Sequence, residues 1–370
     1  MFEFKGGIQT YSAFFLEAIQ CLYPEGNYHV FLKHDTRLSS DFAPSSSVRF
    51  HFAGTSPLPL RTAVFAAQII GDGVRLRPSL VIATHINFAV AAYLLKRIAG
   101  IPYWAVAHGV DAWNIDRPAL QTALQNADRI ISVSGYTRDR LLKEQNLDPA
   151  KVVLLPNTFD ASRFQIAPKP QYLMARYGLT ADNSIILTVA RLDKSEQYKG
   201  YDQIIQALPE IRRKIPGVRY ILVGKGNDRP RIVELIARLG LQDCVILAGF
   251  VPDEELGDHY NLCDVFAMPS KGEGFGIVYL EALACGKPSL GGNQDGAIDA
   301  LCHGELGALV DPDNIGEISQ TLIQILEGTY PHPLMYHSHS LRQKVIEKYG
   351  FPKFKQTLAR LIEQDKILFS

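Results

Sequence analysis

The chain has 370 residues with equal totals of acidic and basic side chains, 38 of each, so no overall field draws it toward nucleic acid or anionic lipid; a charged ligand has to be held locally. At 47% hydrophobic it has a globular composition and is long enough to bury a large core, most readily as two domains. The five cysteines show no Cys-x-x-Cys pair, which argues for reduced cytoplasmic thiols; no apolar run nears the roughly 18 residues of a membrane span, and MFEFKGGIQT has no signal pattern.

In chain order, Gly6 and Gly7 open a helical pattern in FKGGIQTYSAFFLEAI. Short β-branched runs then alternate with amphipathic patterns, predicting strands at 29–34, 48–53, 80–84, 103–107, 129–133 and 152–155. The stretch LPLRTAVFAAQII, residues 58–70, reads as an amphipathic helix whose apolar and basic residues also leave room for peripheral membrane contact. AHGVDAW places His108 at the end of a buried strand, where a histidine satisfied by its surroundings is the plain alternative to a ligand contact. From Pro156 the stretch PNTFDASRFQIAPKPQ breaks the rhythm and marks a boundary, giving domains 1–160 and 161–350. A second series of strands follows at 185–189, 220–223, 245–248, 265–268, 288–291 and 308–310. The segment from Phe351 reads as a helix that packs back on the first domain. The class is α/β: two Rossmann-like, doubly wound domains facing across a cleft at the carboxyl ends of their strands.

The stretch EGFGIVYLEALACGKP, residues 273–288, concentrates the chemistry. Gly272, Gly274 and Gly276 lead from a buried strand into a helix, and a helix N-terminus opened by glycines aims unpaired N–H groups at a phosphate or sugar hydroxyl. Glu273 precedes the helix and Glu281 lies within it, so two carboxylates are offered as hydrogen-bond acceptors for a polyhydroxylated substrate rather than as an acid/base pair. The bland reading makes Glu281 a solvated helix residue and Glu273 a partner of the helix dipole. ARLDKSEQYKG offers Arg191 and Lys199 on one loop, suited to neutralising a departing diphosphate, or else two solvated charges. Asp311 and Asp313 spell Asp-x-Asp, but at a strand end before a helix Asp313 reads as an N-cap. PHPLMYHSHS reads as a loop at a helix start rather than a metal site.

The 273–281 spacing resembles the Glu-x7-Glu signature of the retaining GT-B glycosyltransferases of family four, which use nucleotide-diphosphate sugars. That resemblance implies a GT-B fold, with Glu273 on donor-sugar hydroxyls, Glu281 on ribose hydroxyls, and the backbone of Phe275, Gly276 and Ile277 near sugar and diphosphate. It places Arg191 and Lys199 at the β-phosphate and His108 near the sugar 6-hydroxyl. Gly6 and Gly7 resemble the family's Gly-Gly turn, although only Met1 to Lys5 precede it where the family has a full strand. Gly224 and Gly226 of LVGKGNDRP fall beside the nucleotide and Phe250 and Val251 of LAGFVPDEEL at the base, while by residue type alone Phe250 could simply be core.

The expectation is therefore a metal-independent retaining hexosyltransferase without cofactor, taking UDP-glucose as first candidate donor and a saccharide or lipid-linked saccharide as acceptor. It would work in polysaccharide, envelope or glycolipid synthesis, in the cytoplasm or at the inner membrane face. A nucleotide-sugar epimerase, a sugar phosphorylase and a non-catalytic partner subunit that binds nucleotide sugar stand as alternatives.

Overall fold

A computed structural model describes residues 6–38 and 47–365. The chain divides into two units: residues up to Thr158 together with those from Phe351 on, and Phe159–Gly350. All twelve expected strands form, their ends within two residues of the sequence reading.

In the first unit β1 (Tyr28–Leu32) and β2 (Val48–Phe52) make a parallel pair. A four-stranded parallel sheet runs in the order β3 (Val81–Ala83), β4 (Tyr103–Ala107), β5 (Arg129–Ser132), β6 (Val152–Leu154). The helices are α1 (Gly7–Leu22), α2 (Leu58–Leu76), α3 (Ala89–Ala99), α4 (Pro118–Gln125) and α5 (Gly135–Glu144). Every residue of β4, YWAVA, is buried, as a strand covered on both faces by crossover helices should be. The expected helix over 58–70 forms, but its first turn stays outside: Leu58 is 73% and Leu60 58% exposed, and only Phe65 and Gly73 of α2 are buried. The stretch Met1–Lys5, on which the first-strand question turns, lies outside the described residues.

The second unit contains one six-stranded parallel sheet in the order β12 (Ala308–Val310), β11 (Ser289–Gly292), β10 (Val265–Met268), β7 (Ile185–Val189), β8 (Arg219–Val223), β9 (Val245–Gly249). Its helices are α6 (Gln171–Arg176), α7 (Tyr201–Lys214), α8 (Arg229–Arg238), α9 (Asp253–Leu262), α10 (Ile277–Ala284), α11 (Ala297–Ala300), α12 (Ile315–Leu326) and α13 (Ser338–Tyr349). From β7 the chain winds outward through β8 and β9, then returns to the other side of β7 with β10 and winds out through β11 and β12, which is the doubly wound arrangement. The cap of α12 is Asn314, whose side chain accepts from Glu317 N at 3.1 Å, rather than Asp313; Asp313 pairs with Lys271 at 2.5 Å instead. The His332 to His339 stretch is a short turn leading into α13, and among the described residues no cluster of three or more His, Cys, Asp or Glu side chains is arranged to hold a metal.

The chain enters and leaves the second unit at neighbouring points: Phe159 and Gly350 form a parallel bridge, and Arg342 donates to the carbonyls of Ala161, Phe164 and Ala284. The last described helix, α14 (Phe351–Gln364), then belongs to the first unit. Phe354 packs edge-on against Tyr11 at 5.6 Å and Phe15 at 6.3 Å, and Asp365 accepts from Arg129 Nε at 2.9 Å. Among the described residues no helix is long and apolar enough to cross a membrane.

Candidate active site

Strand order decides where side chains of the second unit gather. The chain reverses its direction of winding between β7 and β10, and the loops leaving the carboxyl ends of these neighbours are 190–200 and 269–276, the two stretches singled out by sequence. In the first loop Asp193 caps a turn by accepting from Ser195 N at 2.9 Å, and the turn ends at Gly200 with φ 84°. A Cβ at Gly200 would lie 2.3 Å from the Pro269 carbonyl oxygen, so only glycine lets the start of α7 approach the end of β10 this closely. Lys271 N donates to Tyr198 O at 3.0 Å, and the Tyr198 ring covers Gly272, where a Cβ would lie 2.6 Å from it. These contacts set the Lys199 ammonium directly on the Glu273 carboxylate. Burial pulls Lys199 down to about 8, opposed by the carboxylates of Glu196 and Asp295. Arg191, on the same loop and 64% exposed, pairs with Glu196 at 3.0 Å.

The second loop ends at Gly276, φ 90°, where a Cβ would meet the Tyr279 ring at 2.6 Å. No side chain caps α10, so its first N–H groups are available beside Glu273. Phe275 is buried against Tyr349, ring centroids 5.3 Å apart, while Ile277 is partly exposed. Glu281, also partly exposed, accepts from Tyr260 Oη at 2.7 Å; burial pushes its carboxyl up to about 7, with the Tyr260 hydroxyl and Arg163 holding it down. The two glutamates therefore have different partners, a cation for Glu273 and a phenol for Glu281.

Gly224 and Gly226 follow β8, and their size is demanded by the protein itself. A Cβ at Gly224 would sit 1.8 Å from Ala190 O, and one at Gly226 2.0 Å from Leu192 O, so both glycines press the β8 loop onto the β7 loop. Phe250, after β9, is 64% exposed and so is not core; Lys225 Nζ lies 4.7 Å from its ring centroid, and Val251 beside it is buried.

In the first unit His108 follows β4. Its Nε2–H donates to Thr84 O at 2.8 Å, which makes Nδ1 the acceptor nitrogen of the neutral ring, and Tyr11 packs edge-on at 5.0 Å. Burial lowers the imidazole to about 4, so it is uncharged at neutral pH. Asp111 Oδ1 accepts from His108 N at 3.0 Å, Asp111 Oδ2 lies 3.7 Å from His85 Nδ1, and burial raises this carboxyl to about 6. Gly6 is the extended N-cap of α1 with φ −176°, a backbone any residue adopts, and Gly7 is the first helical residue, so the expected glycine turn is a plain helix start.

Comparison with known proteins fits this geometry. Residues 173–347 match the family described as Glycosyl transferases group 1, and residues 25–163 match Glycosyltransferase Family 4. A GDP-mannose-dependent alpha-(1-6)-phosphatidylinositol monomannoside mannosyltransferase of Mycobacterium tuberculosis is 32% identical over 278 residues, covering 69% of this chain and 71% of that protein. The chain belongs to glycosyltransferase family 4. The protein of the same description from Mycolicibacterium smegmatis is 33% identical over 250 residues, 64% of either chain. Among solved structures, Anabaena Alr3699/HepE in complex with UDP superposes with a TM-score of 0.77 at 21% identity, covering 97% of this chain and 96% of that one; the fold is GT-B.

Within this family-4 chain the structure brings Arg191, Lys199, Glu273, Phe275, Gly276, Ile277 and Glu281 onto adjoining loops and the helix that follows them, with Gly224 and Gly226 packed against the same β7 loop. His108, Gly6 and Gly7 belong to the other unit. Sequence reasoning missed Asp295, Tyr260, Glu196 and Asp111. Asp295 carried a faint signal, a carboxylate inside a glycine turn directly after a strand of the same sheet. Tyr260 carried none, since an aromatic on a helix reads as core.

Proposed function

We propose that this family-4 chain transfers a hexose from a nucleotide-diphosphate sugar to a hydroxyl of a saccharide, polyol or lipid-linked acceptor, with retention at the anomeric carbon. The observation that carries the reading is the Lys199–Glu273 contact at the switch point between β7 and β10, beside the uncapped start of α10. A diphosphate entering there takes over Lys199 and Arg191 and receives the α10 N–H groups, releasing Glu273 to accept from sugar hydroxyls. Glu281 accepts from the ribose. As the anomeric C–O bond breaks, its electrons go to the phosphate; the cations and helix dipole stabilise that charge. The acceptor oxygen bonds the same face and its proton passes to the departing phosphate. Lys199 and Arg191 supply the countercharge, so chelators leave the rate unchanged.

GDP-mannose is the donor to test first, because the two mannosyltransferases similar over the greater part of this chain carry it in their descriptions. It displaces UDP-glucose, the donor expected from sequence, which goes second. A lipid-linked acceptor would place the reaction at a membrane surface. The test measures nucleotide release from GDP-mannose, UDP-glucose and an ADP-sugar, with and without simple acceptors, for the native chain, Glu273→Gln and Arg191→Ala. One donor turned over by the native chain and lost in both variants supports the reading. No turnover together with no donor binding by calorimetry sinks it, and a product of opposite anomeric configuration removes retention.

A further inference from the structure

A buried carboxylate on the loop after β11 has no role in the reaction as drawn above. Asp295 lies beyond β11 in GGNQDGA and is fully buried, 0% exposed. Its Oδ2 accepts from Ser270 Oγ at 2.7 Å and from Glu273 N at 2.7 Å, and its Oδ1 accepts from Ala297 N at 2.9 Å. Glu273 completes the exchange through its carbonyl, which accepts from Gly296 N at 2.8 Å. The fit is close: a Cβ on Gly292 would lie 1.9 Å from Ser270 O, and one on Gly296 2.1 Å from Gly274 O. Residues 292–297 thus cup the 270–276 loop, with Asp295 at the centre.

A buried carboxylate is costly unless its lone pairs are used, and a turn needing only backbone bonds has no requirement for a charge. Here the charge sits under the backbone of the residue whose carboxylate meets Lys199. The titratable groups facing it are Lys199 and Tyr198 from the β7 loop, Glu273 from the β10 loop, and Tyr279 of α10, whose hydroxyl is 3.4 Å from Ser270 Oγ.

We propose that Asp295 is a positioning residue of the transfer reaction: by holding Ser270 and the Glu273 amide it aims the Glu273 carboxylate, and it does so only when ionised. The inference rests on the transferase reading above. Burial pushes Asp295 up to about 7, against the hydrogen bonds from Ala297, Ser270 and Gly272 and the charge of Lys199. A protonated Asp295 gives up an acceptor, so turnover rises with pH through this range.

A carboxamide in place of this carboxylate would offer one acceptor oxygen where Asp295 offers two. We expect Asp295→Asn to lower kcat roughly tenfold with donor KM changed less than about threefold, and to reduce the acid limb of the pH profile to the part that Glu281 contributes. Ser270→Ala removes a hydroxyl that favours the ionised form, so its acid limb moves to higher pH; Glu281, which titrates in the same range, has no contact with Ser270 through which that limb could move. Amide exchange of residues 270–277 should quicken in Asp295→Asn, a readout that needs no substrate. Native kcat, KM and profile in Asp295→Asn would overturn the proposal, as would an unshifted limb in Ser270→Ala, which carries the test if Asp295→Asn does not fold. Should the native chain neither bind nor turn over a nucleotide sugar, the transferase reading falls by itself. The exchange measurement then still decides whether Asp295 holds the loop, and unchanged exchange rejects it.

Discussion

The loops that follow β10 and β4 begin alike and end differently. Each leaves a wholly buried strand and carries an acidic side chain close to a basic one. After β10 the polar groups are answered: Lys199 takes the Glu273 carboxylate, Asp295 takes the Glu273 amide, and Gly296 donates to its carbonyl. After β4, Asp111 Oδ2 is buried without a hydrogen-bond partner, facing His85 Nδ1, whose lone pair already accepts from Asn87 N at 3.2 Å. Two acceptors pointed at each other need a proton or a donor between them. The loop after β10 has its hydrogen-bond partners preset, with Asp295 among them acting when ionised, whereas the loop after β4 leaves one carboxylate oxygen without a partner.

Testing the separateness of the units gives the largest expected effect. Phe354, 3% exposed between Tyr11 and Phe15, should cost the first unit about 3–5 kcal/mol when truncated to alanine, seen as an earlier calorimetric transition, while donor binding by the second unit persists. Loss of both together would break the comparison. Next, Lys199→Ala and Glu273→Gln should each lower turnover about 10²–10³-fold, and a loss under tenfold would mean that the preset pair is not where charge develops.

Smaller effects follow from titration. Glu281 is raised from an ordinary 4.5 to about 7, so between these values the folded chain holds more protons than the unfolded one. Its contribution to stability is full at low pH and is lost as pH rises through about 7; Glu281→Gln should flatten the fall in melting temperature across that window, and an unaltered slope would refute the assignment. His108 is shifted the other way, to about 4, and its imidazole should show no protonation above about pH 5 by nitrogen NMR, with an ordinary titration near 6.5 contradicting its burial.

Strand positions were legible in the sequence because β-branched runs and intervening helical periods report burial directly, and Glu273, Arg191 and Lys199 were legible because glycines and strand ends flank them. What the sequence hid depends on three-dimensional neighbours. Gly224 and Gly226 looked like ligand-facing glycines, yet the carbonyls of Ala190 and Leu192 require them. Gly6 looked like a special turn and is an ordinary extended cap. Asp313 was one residue away from the true cap, since Asp and Asn are near-equal cap formers and local spelling does not rank them. Phe250 could have been core by type, and only the structure puts it outside with Lys225 over its ring.

The return of α14 to the first unit has a consequence for biosynthesis. During translation the N-terminal residues up to Thr158 emerge long before the helix that covers Tyr11 and Phe15, because all of Phe159–Gly350 is made in between. At ordinary elongation rates that interval is roughly ten to forty seconds. The second unit can fold as soon as it clears the ribosome, while the first waits with an aromatic face uncovered until α14 emerges, so early termination within α14 would injure residues made well before the second unit.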